Sequence, residues 1–176
     1  MTTPDADAPE ETVWSGKWIT AKRRGRWEYV SRSRNIRAAV ILALDDGDVL
    51  LVEQFRVPLG RVCLELPAGL IGDDEEGEEP LLAAKRELEE ETGYAAAEWD
   101  DLGEFFSSPG MVSESFRMIR ARGLTRVGEG GGVPGENITV HRVPLAEVAD
   151  FIAAQRANGI AVDAKLMMLL AGSIVS

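Results

Sequence analysis

The chain has 176 residues, 45% hydrophobic and 28% charged, enough to bury one core and ordinary for a single soluble domain. Its formal net charge of -11 argues against a nucleic-acid partner, because a phosphate backbone calls for a basic surface. A single cysteine, Cys63, excludes an internal disulfide and suits a reducing, cytoplasmic setting; it is expected as a small buried hydrophobe. The longest apolar run, Leu166 to Gly172, is too short to span a bilayer, and the opening MTTPDADAPEET lacks the basic and apolar regions of a signal peptide, so no membrane partner is expected.

In chain order, residues 1–12 read as a disordered tail. Residues 13–37 carry two strands, Trp18 to Lys22 and Arg26 to Arg32, around an Arg24-Gly25 turn, and residues 38–176 form the main domain. There Ala38 to Leu44 and Val49 to Phe55 form a strand pair closed by Asp45-Asp46-Gly47-Asp48, followed by a short strand at Leu64 to Leu66. A helix is predicted over Leu81 to Thr92, with Pro80 in its first turn and Gly93 just past its end. Further strands are expected at Leu102 to Phe106, Arg117 to Ala121 and Asn137 to Val143. Gly128 to Gly135 is the most flexible-looking internal stretch, and helical patterning returns at Leu145 to Asn158 and Asp163 to Leu170. The fold class implied is α/β (α+β), a mixed sheet between helices with an N-terminal antiparallel region.

The helix over Leu81 to Thr92 carries the chemistry. Helical spacing puts Glu87, Glu90 and Glu91 on one side and Glu89 on the other, while Leu81, Ala84, Leu88 and Thr92 line a neighbouring face that can be buried. At ~4 Å and an effective dielectric near 20, each pair of such carboxylates would cost on the order of 4 kcal/mol. A cation is therefore expected among them, and hard oxygen ligands suit Mg²⁺ or Mn²⁺. Charge is also divided along the chain: Lys17 to Arg37 holds eight Lys or Arg against the single acid Glu28, whereas Asp73 to Glu91 holds ten acids against two bases. A polyanionic small molecule, bridged by metal on one side and arginines on the other, would use that division.

From Gly72 the residues read G-x5-E-x7-R-E-L-x-E-E-x-G-Y, ending at Tyr94, and this resembles the signature of the Nudix hydrolases. The run Glu65-Leu66-Pro67-Ala68-Gly69-Leu70-Ile71, the Gln54-Phe55-Arg56-Val57-Pro58 segment and the proline of Ser107-Ser108-Pro109-Gly110 resemble the ADP-ribose pyrophosphatase branch. In that alignment Gly69 is the signature glycine, and the chain carries about three extra acidic residues, within Asp73 to Glu76, in the loop before the helix. Gly16-Lys17-Trp18 and Arg26-Trp27-Glu28-Tyr29-Val30-Ser31-Arg32 are similar to the ADP-sugar pyrophosphatases of the human type, in which two tryptophans sandwich the adenine and N-terminal strands are exchanged across a homodimer.

The resemblance implies Mg²⁺-dependent hydrolysis of the diphosphate of ADP-ribose or a related ADP-sugar to AMP and a sugar phosphate, by a homodimer. A GDP-mannose or other nucleotide-sugar pyrophosphatase is the alternative, and a non-catalytic ADP-ribose sensor a more distant one. It assigns Glu87, Glu90, Glu91 and the Ala68 carbonyl to metal, Arg86 to orienting the glutamates, and Arg56 and Arg32 to phosphate oxygens. Trp18 and Trp27 match the stacking positions, where each base contact is worth ~1–3 kcal/mol, with Glu28 adding selectivity by hydrogen bonding. The general base is Glu136 or Glu114, both beyond the signature. His141, the sole histidine, lies inside a strand and is expected to be structural.

Overall fold

The computed structural model describes residues 4–72 and 78–174, so the extra acidic residues of Asp73 to Glu76 lie outside the described part. Its strands are β1 (Glu10–Ser15), β2 (Ile19–Arg24), β3 (Trp27–Arg32), β4 (Arg37–Asp45), β5 (Asp48–Arg56), β6 (Arg61–Glu65) and β7 (Ala68–Ile71), then, after helix α1 (Pro80–Thr92), β8 (Tyr94–Phe106), β9 (Ser115–Arg126) and β10 (Thr139–Pro144). Helix α2 (Val148–Ala157), β11 (Ala161–Val162), a 3-10 segment (Ala164–Leu170) and the short α3 (Ala171–Ile174) complete the chain.

The main sheet is mixed, in the order β11-β6-β5-β4-β9-β8, with β10 beside β5 and β7 beside β4. Strand β4 alternates cleanly. Ala39, Ile41 and Ala43 face α1 and pack with Ala83, Ala84, Leu88 and Ile119. Val40, on the other face, packs with Leu51, Leu64, Val148, Ile152 and Leu166. The period of two thus feeds two apolar layers, and the sheet lies between α1 on one side and α2 with the 3-10 segment on the other. Leu81, expected on the buried face of α1, is 39% exposed; Ala83 takes its place in the core.

The β4–β5 hairpin makes the site. Asp46 and Gly47 both have positive φ, 47° and 87°, as a two-residue turn matched to strand twist requires. Beyond that turn the two strands pair only at Leu44 with Val49 and Asp45 with Asp48. They then splay: the far end of β4 pairs with β7, while β5 pairs with β10 and β6. A cleft opens between them.

Several elements differ from expectation. The tail expected through residue 12 is strand from Glu10, because Glu10 and Glu11 meet Lys22, Arg24 and Arg23 across β1–β2. Ahead of it Asp5 pairs with Arg26 at 2.8 Å. Strand β8 starts at Tyr94, well before Leu102, drawn into the sheet by β9 through Asp100–Arg120, Asp101–Arg117 and Glu98–Arg122. Gly128 to Gly135, read as flexible, is pinned to α1. The Gly131 and Gly132 amides donate to the Glu91 and Glu90 carbonyls at 2.9 and 3.0 Å, satisfying helix-end acceptors that would otherwise be orphaned. A Cβ on Gly130 would stand 2.5 Å from the Thr92 carbonyl carbon, so only glycine allows that approach. The segment predicted helical from Asp163 is a 3-10 run, opened by the Lys165 amide donating to Asp163 Oδ1 at 2.7 Å.

Candidate functional site

Between the splayed strands lies a cavity of about 370 Å³, open to solvent. Helix α1 contributes Glu87 and Glu91, one turn apart; β5 contributes Gln54 and Arg56, β3 Arg32, and the loops before β9 and β10 Glu114 and Glu136. Glu65, Ala68, Gly69 and Lys165 complete the part of the wall that bears on chemistry.

Glu91 is the most confined carboxylate of α1, 4% exposed, and accepts the Ala68 amide at 2.9 Å. Burial pushes its carboxyl up to about 8; the Ala68 amide opposes that rise, and the Glu87 and Glu136 charges add to it. Glu87 lies against Gly69 so closely that a Cβ there would overlap its carboxyl, which explains the glycine at this position. Gly72, the other glycine able to open the signature, has its own reason: φ is 81° and its amide donates to Glu78 Oε2 at 3.1 Å.

Arg86 stands behind the carboxylates. Its guanidinium reaches Glu87 at 2.8 Å, Glu90 at 3.4 Å, Glu78 at 3.6 Å and the Leu70 carbonyl at 3.4 Å. Glu90 is exposed and turned toward Arg86, outside the cavity wall, so the structure does not bring it together with Glu87 and Glu91. Among the described residues no group of three or more acidic, histidine or cysteine side chains is gathered for a metal ion. The donor chemistry still fits a hard divalent cation: Glu87 and Glu91 are oxygen donors on one helix face, and the buried Glu91 is held against neighbouring negative charge.

The two cavity arginines are each tied to a carboxylate. Arg56 makes a two-pronged pair with Glu65, at 2.6 and 2.8 Å, and that bond raises its already high pKa. Arg32 donates through Nε to Glu114 at 2.6 Å. Glu114 is thereby committed to an arginine, while the Glu136 carboxylate accepts only the Val133 amide, at 3.0 Å, among the contacts described. Lys165, paired with Asp163 at 2.6 Å, is a third cation on the wall. No role is read from the sequence for Glu65, Gln54 or Lys165, although the runs Glu65-Leu66-Pro67-Ala68 and Gln54-Phe55-Arg56 include the first two.

Trp18 and Trp27 are not brought together. In the β2–β3 hairpin Ile19 pairs with Arg32 and Arg24 with Trp27, so Trp18 stands at the Arg32 end and Trp27 at the tip. Six residues of strand separate them by about 20 Å. Both are about half exposed, Trp18 with Lys17 Nζ 4.4 Å above its ring, and neither lines the cavity. Glu28, the next residue of β3, is also exposed but points to the opposite face of the hairpin from Trp27. His141 is likewise remote, 3.1 Å from Glu53 and packed on Phe151. Cys63 is buried, and desolvation pushes its thiol up to about 12, leaving it inert.

Residues 34–167 match the NUDIX domain model, most of the chain. The chain belongs to the Nudix family. It is 44% identical over 87 residues to an ADP-ribose pyrophosphatase of Bacillus subtilis (strain 168), covering 49% of this chain and 45% of that one. To a GDP-mannose pyrophosphatase of Cronobacter sakazakii it is 33% identical over 145 residues, covering 77% and 71%. A crystal structure titled as an ADP compounds hydrolase superposes with a TM-score of 0.66 at 25% identity, covering 82% of this chain and 80% of that one. The chain spans about half the length of the curated ADP-ribose pyrophosphatases it matches. The mixed sheet between helices is the Nudix fold, and α1 carries the helical part of the Nudix signature.

Proposed function

We propose that this Nudix protein hydrolyses the diphosphate of nucleotide sugars, ADP-ribose before others, to a nucleoside monophosphate and a sugar phosphate. One observation carries this reading: a single cavity sets Glu87 and Glu91 of the signature helix against Arg56 and Arg32, with Glu136 on the same wall. Acid on one side and arginine on the other is a division suited to a diphosphate and a divalent cation together.

Glu87 and Glu91, with the Ala68 carbonyl, would hold the cation, Mg²⁺ by preference. When bound, it would neutralise the diphosphate and ease ionisation of water. Arg56 and Arg32 bind and orient the non-bridging oxygens. Water attacks one phosphorus, the anhydride P–O bond breaks, the bridging oxygen leaves with the other phosphate, and the water's proton passes to Glu136. Glu136 is preferred over Glu114 because Glu114 already neutralises Arg32. Arg86 holds Glu87 and Glu90 in place without touching substrate.

The nucleoside would be stacked by Trp18 and Trp27, with Glu28 adding a hydrogen bond. One chain holds the two rings about 20 Å apart, which supports a homodimer in which the tryptophan facing Trp18 comes from a second copy. A lone, buried Cys63 accords with a cytoplasmic setting. The test is a panel of nucleotide sugars incubated with Mg²⁺ and assayed for phosphate-monoester release. ADP-ribose should lead. GDP-mannose leading would shift the assignment to the runner-up, and release from none, with ADP-ribose bound intact, would mean a sensor.

A further inference from the structure

Arg56 is held from behind in a way that Arg32 is not. In the β5–β6 pair Arg56 stands opposite Arg61, Gln54 opposite Cys63 and Val52 opposite Glu65, so Arg56 and Glu65 share one face of the sheet but stand well apart along it. The Arg56 side chain lies back along the strands and meets Glu65 fork to fork, Nε to Oε1 at 2.6 Å and Nη2 to Oε2 at 2.8 Å. The Glu65 side chain is 7% exposed and the Arg56 side chain 40%. Two of the five guanidinium hydrogens are used; both on Nη1 and one on Nη2 are left at the outer edge of an arginine that lines the cavity.

By charge alone Glu65 is misplaced. It puts a buried carboxylate on the wall of a cavity that already carries Glu87 and Glu91 and that is read as binding an anion. What it supplies is geometry: two parallel bonds fix both the place and the plane of the guanidinium, which one bond or a solvated arginine would not. We infer that Glu65 is a positioning residue, which touches no substrate but holds the outer edge of Arg56 in line with the non-bridging oxygens of the diphosphate. The inference rests on the reading of the cavity as a diphosphate site.

Charge and positioning predict opposite signs, which makes the test decisive. Arg56→Ala, Glu65→Gln and the double variant are compared by KM and kcat for ADP-ribose with Mg²⁺, and by calorimetric Kd for ADP-ribose in EDTA. Positioning requires Glu65→Gln to raise KM and Kd about tenfold, kcat changing far less, because the arginine binds a charge present before and during reaction. In the Arg56→Ala background the same change should lower both constants, since only the repelling carboxylate remains to be removed. A fall in KM in the wild-type background, or equal penalties in both backgrounds, would overturn the inference, as would an Arg56→Ala variant with unchanged KM and Kd. Should Glu65→Gln not fold, Arg56→Lys decides: it keeps the charge but loses the fork, so it should weaken binding nearly as much as Arg56→Ala, and wild-type constants would refute positioning. If no nucleotide sugar is cleaved while Kd follows the sign reversal, the hydrolase reading fails and the positioning role stands. Robust turnover with additive Kd changes gives the converse.

Discussion

The main sheet and the N-terminal sheet are built on opposite terms. In the main sheet, β4 and β5 alone bury Ala39, Val40, Ile41, Ala43 and Val49 to Val52, and helices cover both faces. Along β1, β2 and β3 only Ser31 is buried, and the sheet is laced instead by exposed pairs such as Lys22–Glu10 and Arg23–Glu11, which water and salt weaken. Its described links to the body include the Val30–Val112 bridge, the Ser31–Ser113 hydroxyl contact at 2.7 Å and the Arg32–Glu114 pair. Val13, Trp14, Trp18 and Trp27 stay about half exposed or more. A small sheet with aromatic side chains in water and no core of its own is a surface awaiting a cover. The body carries the cavity; on the function proposed above, the arm would supply recognition of the base and would need a second copy to complete it.

The hardest blow to the body should come from Glu91→Gln. If Glu91 holds the cation as proposed, its loss should lower turnover by roughly 10³-fold or more, with the fold intact because the amide fits the same buried place. The substitution also has a signature in stability. An acid whose pKa is higher folded than unfolded binds its proton more tightly when folded, so its contribution is full below about 4.5 and is lost as pH rises through about 8. Metal-free wild type should therefore lose up to roughly 5 kcal/mol across that window relative to Glu91→Gln. Added Mg²⁺ should flatten the wild-type slope. Thermal melts of both proteins with EDTA and with Mg²⁺ check this; identical slopes would remove Glu91 as a strained carboxylate, and near-normal turnover would remove it as a ligand.

A smaller effect separates the two loop glutamates. Glu136→Gln should cut kcat by ~10²- to 10³-fold and leave KM nearly unchanged, because a base acts only in the transition state. Glu114→Gln should act chiefly through Arg32, raising KM and loosening the attachment of the arm. Measured side by side, a large kcat loss confined to Glu114→Gln would move the base to that residue.

Legibility in the sequence followed locality. Helix α1 could be read almost to the residue because Pro80, the carboxylate spacing and Gly93 are all local signals, and the Asp46-Gly47 turn is another. Strand β1 and the first half of β8 could not, since EETVWS and AAAEWDD become strands only when basic partners on β2 and β9 arrive from elsewhere. The glycine-rich loop misled because its composition speaks of freedom, whereas its amides close the end of α1 and so tie Glu136 to the helix that carries Glu87 and Glu91. Resemblance supplied Arg56, Arg32 and Glu136 for the cavity wall. The pairing of Glu65 with Arg56 and the place of Lys165 on the wall come from strand register and tertiary packing, which no spacing in the chain reveals.

The smallest expected effect tests the arm. Trp27→Ala should raise KM for ADP-ribose by the equivalent of ~1–3 kcal/mol, about five- to 150-fold, with a lesser change in kcat, because stacking holds substrate and transition state alike. On its own that result shows recognition but not which subunit provides it. Mixing Trp27→Ala chains with Glu91→Gln chains does. If platform and carboxylates of one site come from different copies, each mixed dimer has one site with both defects and one with neither, so activity should partly return as subunits exchange. If each site is built within one chain, every site in the mixture keeps one defect, and no activity returns despite exchange proven by mass. With the two tryptophans about 20 Å apart along one hairpin, a single chain cannot close both rings on one base. Full stacking by an isolated monomer would therefore require the hairpin itself to be rebuilt, which a loss of the Ile19–Arg32 and Arg24–Trp27 pairings on binding would reveal by amide exchange.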